Sequence, residues 1–227
     1  VDAVSRLTVG CVVTSWNYGM FIDEALTSLA GQTRSADEVV VADDCSTDSS
    51  VSRLKGWAHM PWRIAQRSER LGFVENANRA IAALGTDLAF VLSADDWLEP
   101  GFIEKHAAAL ENAEADVALA YCTMAYRCTE PGPRMDLDGH VIGFQRWSDA
   151  IMGGNFVNGS AMFRREVFLG IGGFPERDRE EDHALWVEMA RAGYRGVQVG
   201  GREVMLNYRQ HGRGHRNYGD DERRRAT

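Results

Sequence analysis

The sequence predicts an α/β fold: a single domain built on a mainly parallel central sheet with helices on both faces. Short apolar, β-branched runs alternate with segments of helical periodicity along most of the chain, which is the pattern of strand–helix–strand units. The length of 227 residues, 44% of them hydrophobic and 26% charged, suffices for one substantial core. Neither an internal repeat nor a linker divides the chain.

The first run, LTVGCVVT from Leu7 to Thr14, is nearly continuous and β-branched, as expected of a strand covered on both faces. A helix follows over Ile22 to Ala30, with Asp23 and Glu24 in its first turn and Gly31 just past its end. EVVVADD, Glu38 to Asp44, is a second strand, and Ser46 to Ser50 supplies caps for a helix through Lys55. Trp62 to Gln66 reads as a third strand, Val74 to Leu84 as a helix and Asp87 to Ser93 as a fourth, buried strand. A helix is expected over Phe102 to Leu110 and a strand over Val117 to Tyr126. Thr129 to His140, rich in Pro and Gly, reads as an exposed loop that would order over a ligand. Beyond it come a short helix at Trp147 to Met152, a strand-like SAMFRRE, the glycine cluster GIGGF, a helix over Glu181 to Ala192 and a last strand, Glu203 to Arg209. In that helix Leu185, Trp186, Met189 and Ala190 recur at helical spacing.

Composition removes several classes of function. The net charge of −8 disfavours duplex nucleic acid as a partner. The two lysines, Lys55 and Lys105, stand in no GxxxxGK sequence, so a P-loop is absent. No apolar run approaches the roughly 20 residues of a membrane span, and VDAVSRLTVG does not read as a signal peptide. Cys11, Cys45, Cys122 and Cys128 form no CxxC pair and are expected to be reduced thiols in a cytoplasmic protein, with peripheral membrane attachment left open.

In sheets of this kind ligands bind beyond the carboxyl ends of the strands. The first strand ends in Thr14-Ser15-Trp16-Asn17, the second in Asp43-Asp44 and the fourth in Asp95-Asp96. Turn chemistry accounts for any one of these clusters. Two adjacent-aspartate pairs on one rim, however, repel unless a cation is present. TSWNYGMF offers no Gly-rich turn for a dinucleotide. Carboxylates without a phosphate cradle point to a nucleotide diphosphate held through an oxygen-liganded ion such as Mg²⁺ or Mn²⁺.

VVTSWN, then QT with EVVVADDCSTD, LSADDW, GIGGFPE, EDHALWVEMARAG and LNYRQH together resemble, in order, the inverting glycosyltransferases of family 2. The resemblance covers Thr8 to His211 and implies a GT-A (Rossmann-like) fold and a nucleotide-sugar donor. It divides the chain into a nucleotide-binding half, about residues 7–97, an acceptor-binding half, about 98–211, and a frayed basic tail, 212–227. Thr14 and Trp16 would line the base pocket and Asp44 would accept a hydrogen bond from the base. Asp48 and Asn78 match positions near the nucleotide and equally suit capping or turn roles. Cys45 occupies a slot that is often Gly. Ser93 stands where the commoner metal motif begins with an aspartate, which leaves Asp95 facing the ribose or sharing the metal and Asp96 as its ligand. His211 is placed like a histidine that approaches the metal or diphosphate, and a surface histidine would look the same.

Asp182 matches the catalytic base that removes the acceptor hydroxyl proton; acids at a helix start are also expected on dipole grounds alone. The implied enzyme transfers one sugar, with inversion, from a UDP-sugar, with dTDP- and GDP-sugars as alternatives. The acceptor is a hydroxyl on a glycan, a lipid-linked molecule or a small molecule. The alternative is a catalytically silent GT-A domain that binds nucleotide sugar or glycan within a larger assembly.

Overall fold

The computed structural model describes residues 6–129, 139, 141–142, 147, 150–176 and 180–211. The N-terminal half alternates as predicted: β1 (Val9–Ser15), α1 (Ile22–Ala30), β2 (Glu38–Asp43), α2 (Ser50–Gly56), β3 (Arg63–Gln66), α3 (Phe73–Ala82) and β4 (Leu88–Ser93). Then follow β5 (Trp97–Leu98), α4 (Phe102–Glu111), β6 (Val117–Cys128), β7 (Val141–Ile142), α5 (Ala150–Gly153), β8 (Met162–Arg164), α6 (Arg165–Gly170), α7 (Glu181–Arg191) and β9 (Arg195–Gln210). Among the described residues these strands form one sheet in the order β3-β2-β1-β4-β8-β6-β9-β5, with β7 paired to β6. β3, β2, β1 and β4 are mutually parallel, as are β6 and β9, whereas β8 runs antiparallel between β4 and β6.

Every residue of β1 is buried, because its two faces serve two cores. Val9, Cys11 and Val13 pack with Ile22 and Leu26 of α1, Leu54 of α2 and Phe102 of α4. Val12 points the other way, into a core with Ala77 and Ile81 of α3, Phe168 of α6 and Leu185 and Trp186 of α7. Period-2 alternation on a strand flanked by helices on both sides produces this division. Gly10 permits the close approach beneath β1: a Cβ there would lie 2.5 Å from Thr86 Oγ1 and 2.7 Å from Leu84 Cδ1.

Three expectations in the C-terminal half need correction. SAMFRRE is not strand throughout, since β8 stops at Arg164 and α6 begins at Arg165. Antiparallel pairing with β4 lasts only from Leu88↔Arg164 to Ala89↔Phe163, after which Val167 and Phe168 are buried on a helical face. GIGGF then ends α6, with Gly172 and Gly173 at φ 93 and 78 and Gly173 N–H donating to Phe168 O at 2.9 Å. The last strand begins well before Glu203, at Arg195. Gly200 and Gly201, at φ 72 and 60, bend it: the pairing with β6 breaks after Cys122↔Val199 and resumes at Thr123↔Val204, a register shift. The short helix before β8 starts at Ala150, later than expected. The proposed ordering loop, Thr129 to His140, and the basic tail fall almost wholly outside the described residues.

Candidate active site

The register of the parallel strands brings the predicted clusters to one rim. Thr14 pairs with Ala42 of β2 and with Ser93 of β4, and Ser15 pairs with Asp43. Beyond β1, Asn17 adopts a left-handed conformation, φ 57. Its Oδ1 accepts from the N–H groups of Thr47 (2.8 Å) and Asp48 (3.3 Å). Asp48 closes the same junction by accepting from Gly19 N–H (2.9 Å) and Ser50 N–H (2.9 Å). Although partial burial opposes it, bonding from the Ser50 hydroxyl and the Ser50 and Gly19 amides holds the Asp48 carboxyl below the usual range. Gly19 is required here, since a Cβ would lie 2.7 Å from Ser50 N.

Asp44 is buried, and its two oxygens accept from Leu71 N–H (2.7 Å) and Gly72 N–H (2.9 Å). It thereby holds the segment after β3 against the rim. From that segment Arg70 lies over the indole of Trp16, its guanidinium carbon 3.5 Å from the ring centroid. Cys45 sits at φ 63, which accounts for the preference for glycine at this slot. Asn78 makes two bonds to the backbone of one residue, donating to Phe174 O and accepting from Phe174 N–H, both at 2.9 Å. That pins the glycine cluster to α3, in keeping with the turn role. The QT pair has a similar use: Gln32 accepts from Ile103 N–H at 3.1 Å and donates to Glu99 O at 2.9 Å, tying α1 to the start of α4.

The second aspartate pair lies in the turn between β4 and β5, beside the end of β9. His211 Nε2 is 3.0 Å from Asp95 Oδ2, and its ring packs 4.6 Å from Phe21. Asp96 Oδ1 accepts from Arg209 N–H at 2.8 Å, and Arg209 Nε donates to Asp95 O at 2.7 Å. The Arg209 guanidinium is sandwiched between Phe21 (4.7 Å) and Trp97 (4.6 Å) and is ion-paired to Glu24. Burial, reinforced by the charge of Asp95, raises the Asp96 carboxyl well above its ordinary value. Burial, with the charges of Asp95 and Asp96, also pushes the Tyr18 phenol up. Crowded carboxylates with an imidazole beside them suit a hard divalent cation, which would relieve their repulsion. Among the described residues no three ligand-type side chains converge on a metal position.

Asp182 lies in the first turn of α7, after Glu180 in a left-handed conformation, φ 58. Its Oδ1 accepts from His183 N–H (2.7 Å) and from Asn155 Nδ2 (3.2 Å). His183 Nε2 meets Ile151 O at 2.8 Å. Trp186, one turn on, is fully buried and belongs to the core.

Sequence reasoning did not single out Tyr18, Glu24, Asn76, Asn155 or Arg209. Asn76 is buried and joins Ala42 O (2.9 Å) to Arg67 Nε (2.9 Å). Arg209 did carry a signal, a charge at the end of the mainly apolar run VMLNYR. The others have partners too distant in sequence to be seen.

Known proteins resemble the chain as follows. It is 33% identical over 133 residues to EpsH of Bacillus subtilis, covering 57% of this chain and 37% of that protein. It is 23% identical over 218 residues to an uncharacterized glycosyltransferase of Haemophilus influenzae, covering 90% and 66% of the two. Among solved structures, TarS of S. aureus in complex with UDP-GlcNAc superposes with a TM-score of 0.75 at 18% identity, over 92% of this chain and 60% of that one. The mannosyltransferase PcManGT of Pyrobaculum calidifontis, bound to GDP-Man and Mn²⁺, gives 0.71 at 24%, over 94% and 60%. The chain thus spans about 60% of these structures and just over a third of EpsH. These likenesses establish the GT-A fold. The model of Glycosyl transferase family 2 matches residues 11–172, most of the chain, and with the fold and rim in agreement the protein belongs to glycosyl transferase family 2.

Proposed function

We propose that the protein is a metal-dependent, inverting glycosyltransferase that takes a sugar from a nucleotide diphosphate donor, UDP-linked in the first instance, and places it on an acceptor hydroxyl. The observation that carries this reading is the pair of buried aspartates, Asp95 and Asp96, braced by the end of β9 on the rim where β1 and β2 also end. Further support comes from the family match and from structures of the same fold solved in complex with UDP-GlcNAc or with GDP-Man and Mn²⁺. In this reading Trp16 and Thr14 face the base and Asp44 shapes its pocket. Asp96 would hold Mn²⁺ or Mg²⁺, with Asp95 and His211 beside it. The ion would stabilise charge on the leaving diphosphate. Residues 7–97 would serve the nucleotide and 98–211 the acceptor.

Asp182 is assigned as the base. A carboxylate held by its own helix can take the proton from the acceptor hydroxyl as that oxygen attacks the anomeric carbon, and a single displacement inverts the centre. Asp182→Asn keeps the volume but not the basicity. Transfer from UDP-GlcNAc, UDP-glucose and GDP-mannose in the presence of Mn²⁺ should fall by roughly 10²–10⁴-fold, with nucleotide affinity and melting temperature little changed. Wild-type turnover in the variant removes Asp182 from the mechanism. A product that retains the donor's anomeric configuration, read by NMR, removes the single displacement.

A further inference from the structure

We infer that Asn155 is a positioning residue for Asp182, orienting its carboxylate and keeping it ionised. The inference rests on the reading of Asp182 as the base. Among the described residues Asp182 Oδ1 accepts from two donors that differ in kind. His183 N–H belongs to the same helix, so that bond forms wherever α7 forms. Asn155 Nδ2 comes from the separate segment between α5 and β8, and it fixes the carboxylate relative to the rest of the domain. The same segment reaches the other oxygen, since a Cβ on Gly159 would lie 3.5 Å from Asp182 Oδ2.

The other end of the Asn155 amide supports this reading. Its Oδ1 is buried and, among the described residues, has no hydrogen-bond partner. Leaving an amide oxygen unbonded is unfavourable, and an apolar side chain would avoid it. Among the described residues, the bond that sets asparagine apart from an apolar residue here is therefore the donation to Asp182. A donor to a carboxylate stabilises its charged form and lowers its proton affinity. A base that must be ionised and aimed before the acceptor arrives needs both effects.

The charged and titratable groups around Asp182 along α7 are Glu180, Glu181 and His183, and residues 150–160 contain none. Arg177, Asp178 and Arg179 lie outside the described residues. All of these are common to the wild type and the variants below, so a difference in titration isolates Asn155.

The deciding measurement is a ¹³C NMR titration of the Asp182 carboxyl, assigned by its loss in Asp182→Asn, in the wild type, Asn155→Ala and Asn155→Asp. The midpoint should rise by roughly half to one pH unit in Asn155→Ala and further in Asn155→Asp, where a second carboxylate replaces the donor. Unmoved midpoints in both variants overturn the proposal. Turnover of UDP-GlcNAc with Mn²⁺ supplies the second readout. Asn155→Ala should lower kcat about tenfold with little change in the KM for donor, and should cost nothing more in an Asp182→Ala background. An equal loss in both backgrounds means that Asn155 acts elsewhere and also overturns the proposal. Undiminished turnover in Asp182→Ala instead defeats the assignment of the base, while the titration still decides whether Asn155 governs this carboxylate.

Discussion

Asp44 shows what one residue's neighbourhood adds to its motif. Its place at the end of β2 was legible because Asp43 and Asp44 follow directly on the apolar run VVVA. Its bonds to Leu71 and Gly72 were not, since those partners lie 27 and 28 residues away. Asp44 therefore carries a structural load whether or not it also meets a base, and each carboxylate oxygen has a lone pair to spare. Asp44→Ala should lower stability by about 1–3 kcal/mol, because two part-buried amides lose their acceptor, and should weaken UDP binding by releasing the segment that carries Arg70. Asp44→Asn, which keeps one acceptor, should fall between. Urea melts with UDP titrations on both variants check this, and an unchanged melting curve in Asp44→Ala would mean that those bonds contribute nothing net. The resemblance marked the slot of Cys45 as one that is often Gly, and the structure gives the reason in its φ of 63. Arg209 and Asn155 escaped because their partners lie 113 and 27 residues away along the chain.

At the scale of elements, legibility followed local consistency. The bounds of α1 matched the expectation, because its apolar stripe, first-turn acids and terminal Gly31 agree with one another. The strands of the parallel half differed by a residue or two. The failures lie where tertiary pairing overrides composition: β9 spans two glycines because β6 pairs with it on both sides of them, up to Val199 and again from Val204, and Arg165 turns from strand to helix where the ladder with β4 runs out. Within α4, a helix read correctly, His106 is fully buried, stacked 4.0 Å from Phe102, with Nδ1 2.7 Å from Phe102 O and Nε2 without a partner among the described residues. Burial lowers its pKa from 6.5 to about 4, with Lys105 acting in the same direction and the bond to Phe102 opposing. A folded-state pKa below the unfolded one means that the unfolded chain takes up the proton first as pH falls. Stability is therefore lost between about pH 6.5 and 4, by at most roughly 3 kcal/mol. His106→Leu should flatten that part of the stability profile relative to wild type in urea melts at pH 7, 5.5 and 4.5. Parallel profiles for the two proteins would show that His106 is not the group responsible.

For the whole molecule, the central question is how a rim assembled from distant segments holds two acids together before any ligand binds. The parallel order β3-β2-β1-β4 was foreseeable from alternation and delivers Thr14, Asp44 and the aspartate pair to one edge. The brace was not foreseeable: Glu24 at the start of α1 holds Arg209 near the end of β9, and Arg209 in turn holds the backbone of Asp95 and the carboxylate of Asp96. The acids are thus fixed in place while Asp96 is driven toward its neutral form by burial and by Asp95, an arrangement that a divalent cation would reverse. Ser93 in place of a further aspartate leaves fewer protein ligands, so the ion and the diphosphate should depend on each other. The expected outcome is that Mn²⁺ alone binds weakly, UDP with EDTA binds weakly, and the two together bind cooperatively, since each completes the site for the other. Calorimetric titration of UDP with Mn²⁺ and with EDTA measures this coupling. Thermal melting gives an independent reading, because a ligand at about a hundredfold over its dissociation constant stabilises the fold by roughly 2.7 kcal/mol. In Asp96→Ala the coupling should vanish while any binding that depends only on the base pocket remains. Equal affinity for UDP with and without Mn²⁺ in the wild type, or an undiminished Mn²⁺ effect in Asp96→Ala, would take the metal away from this aspartate and leave Arg209 as the charge that holds the pair.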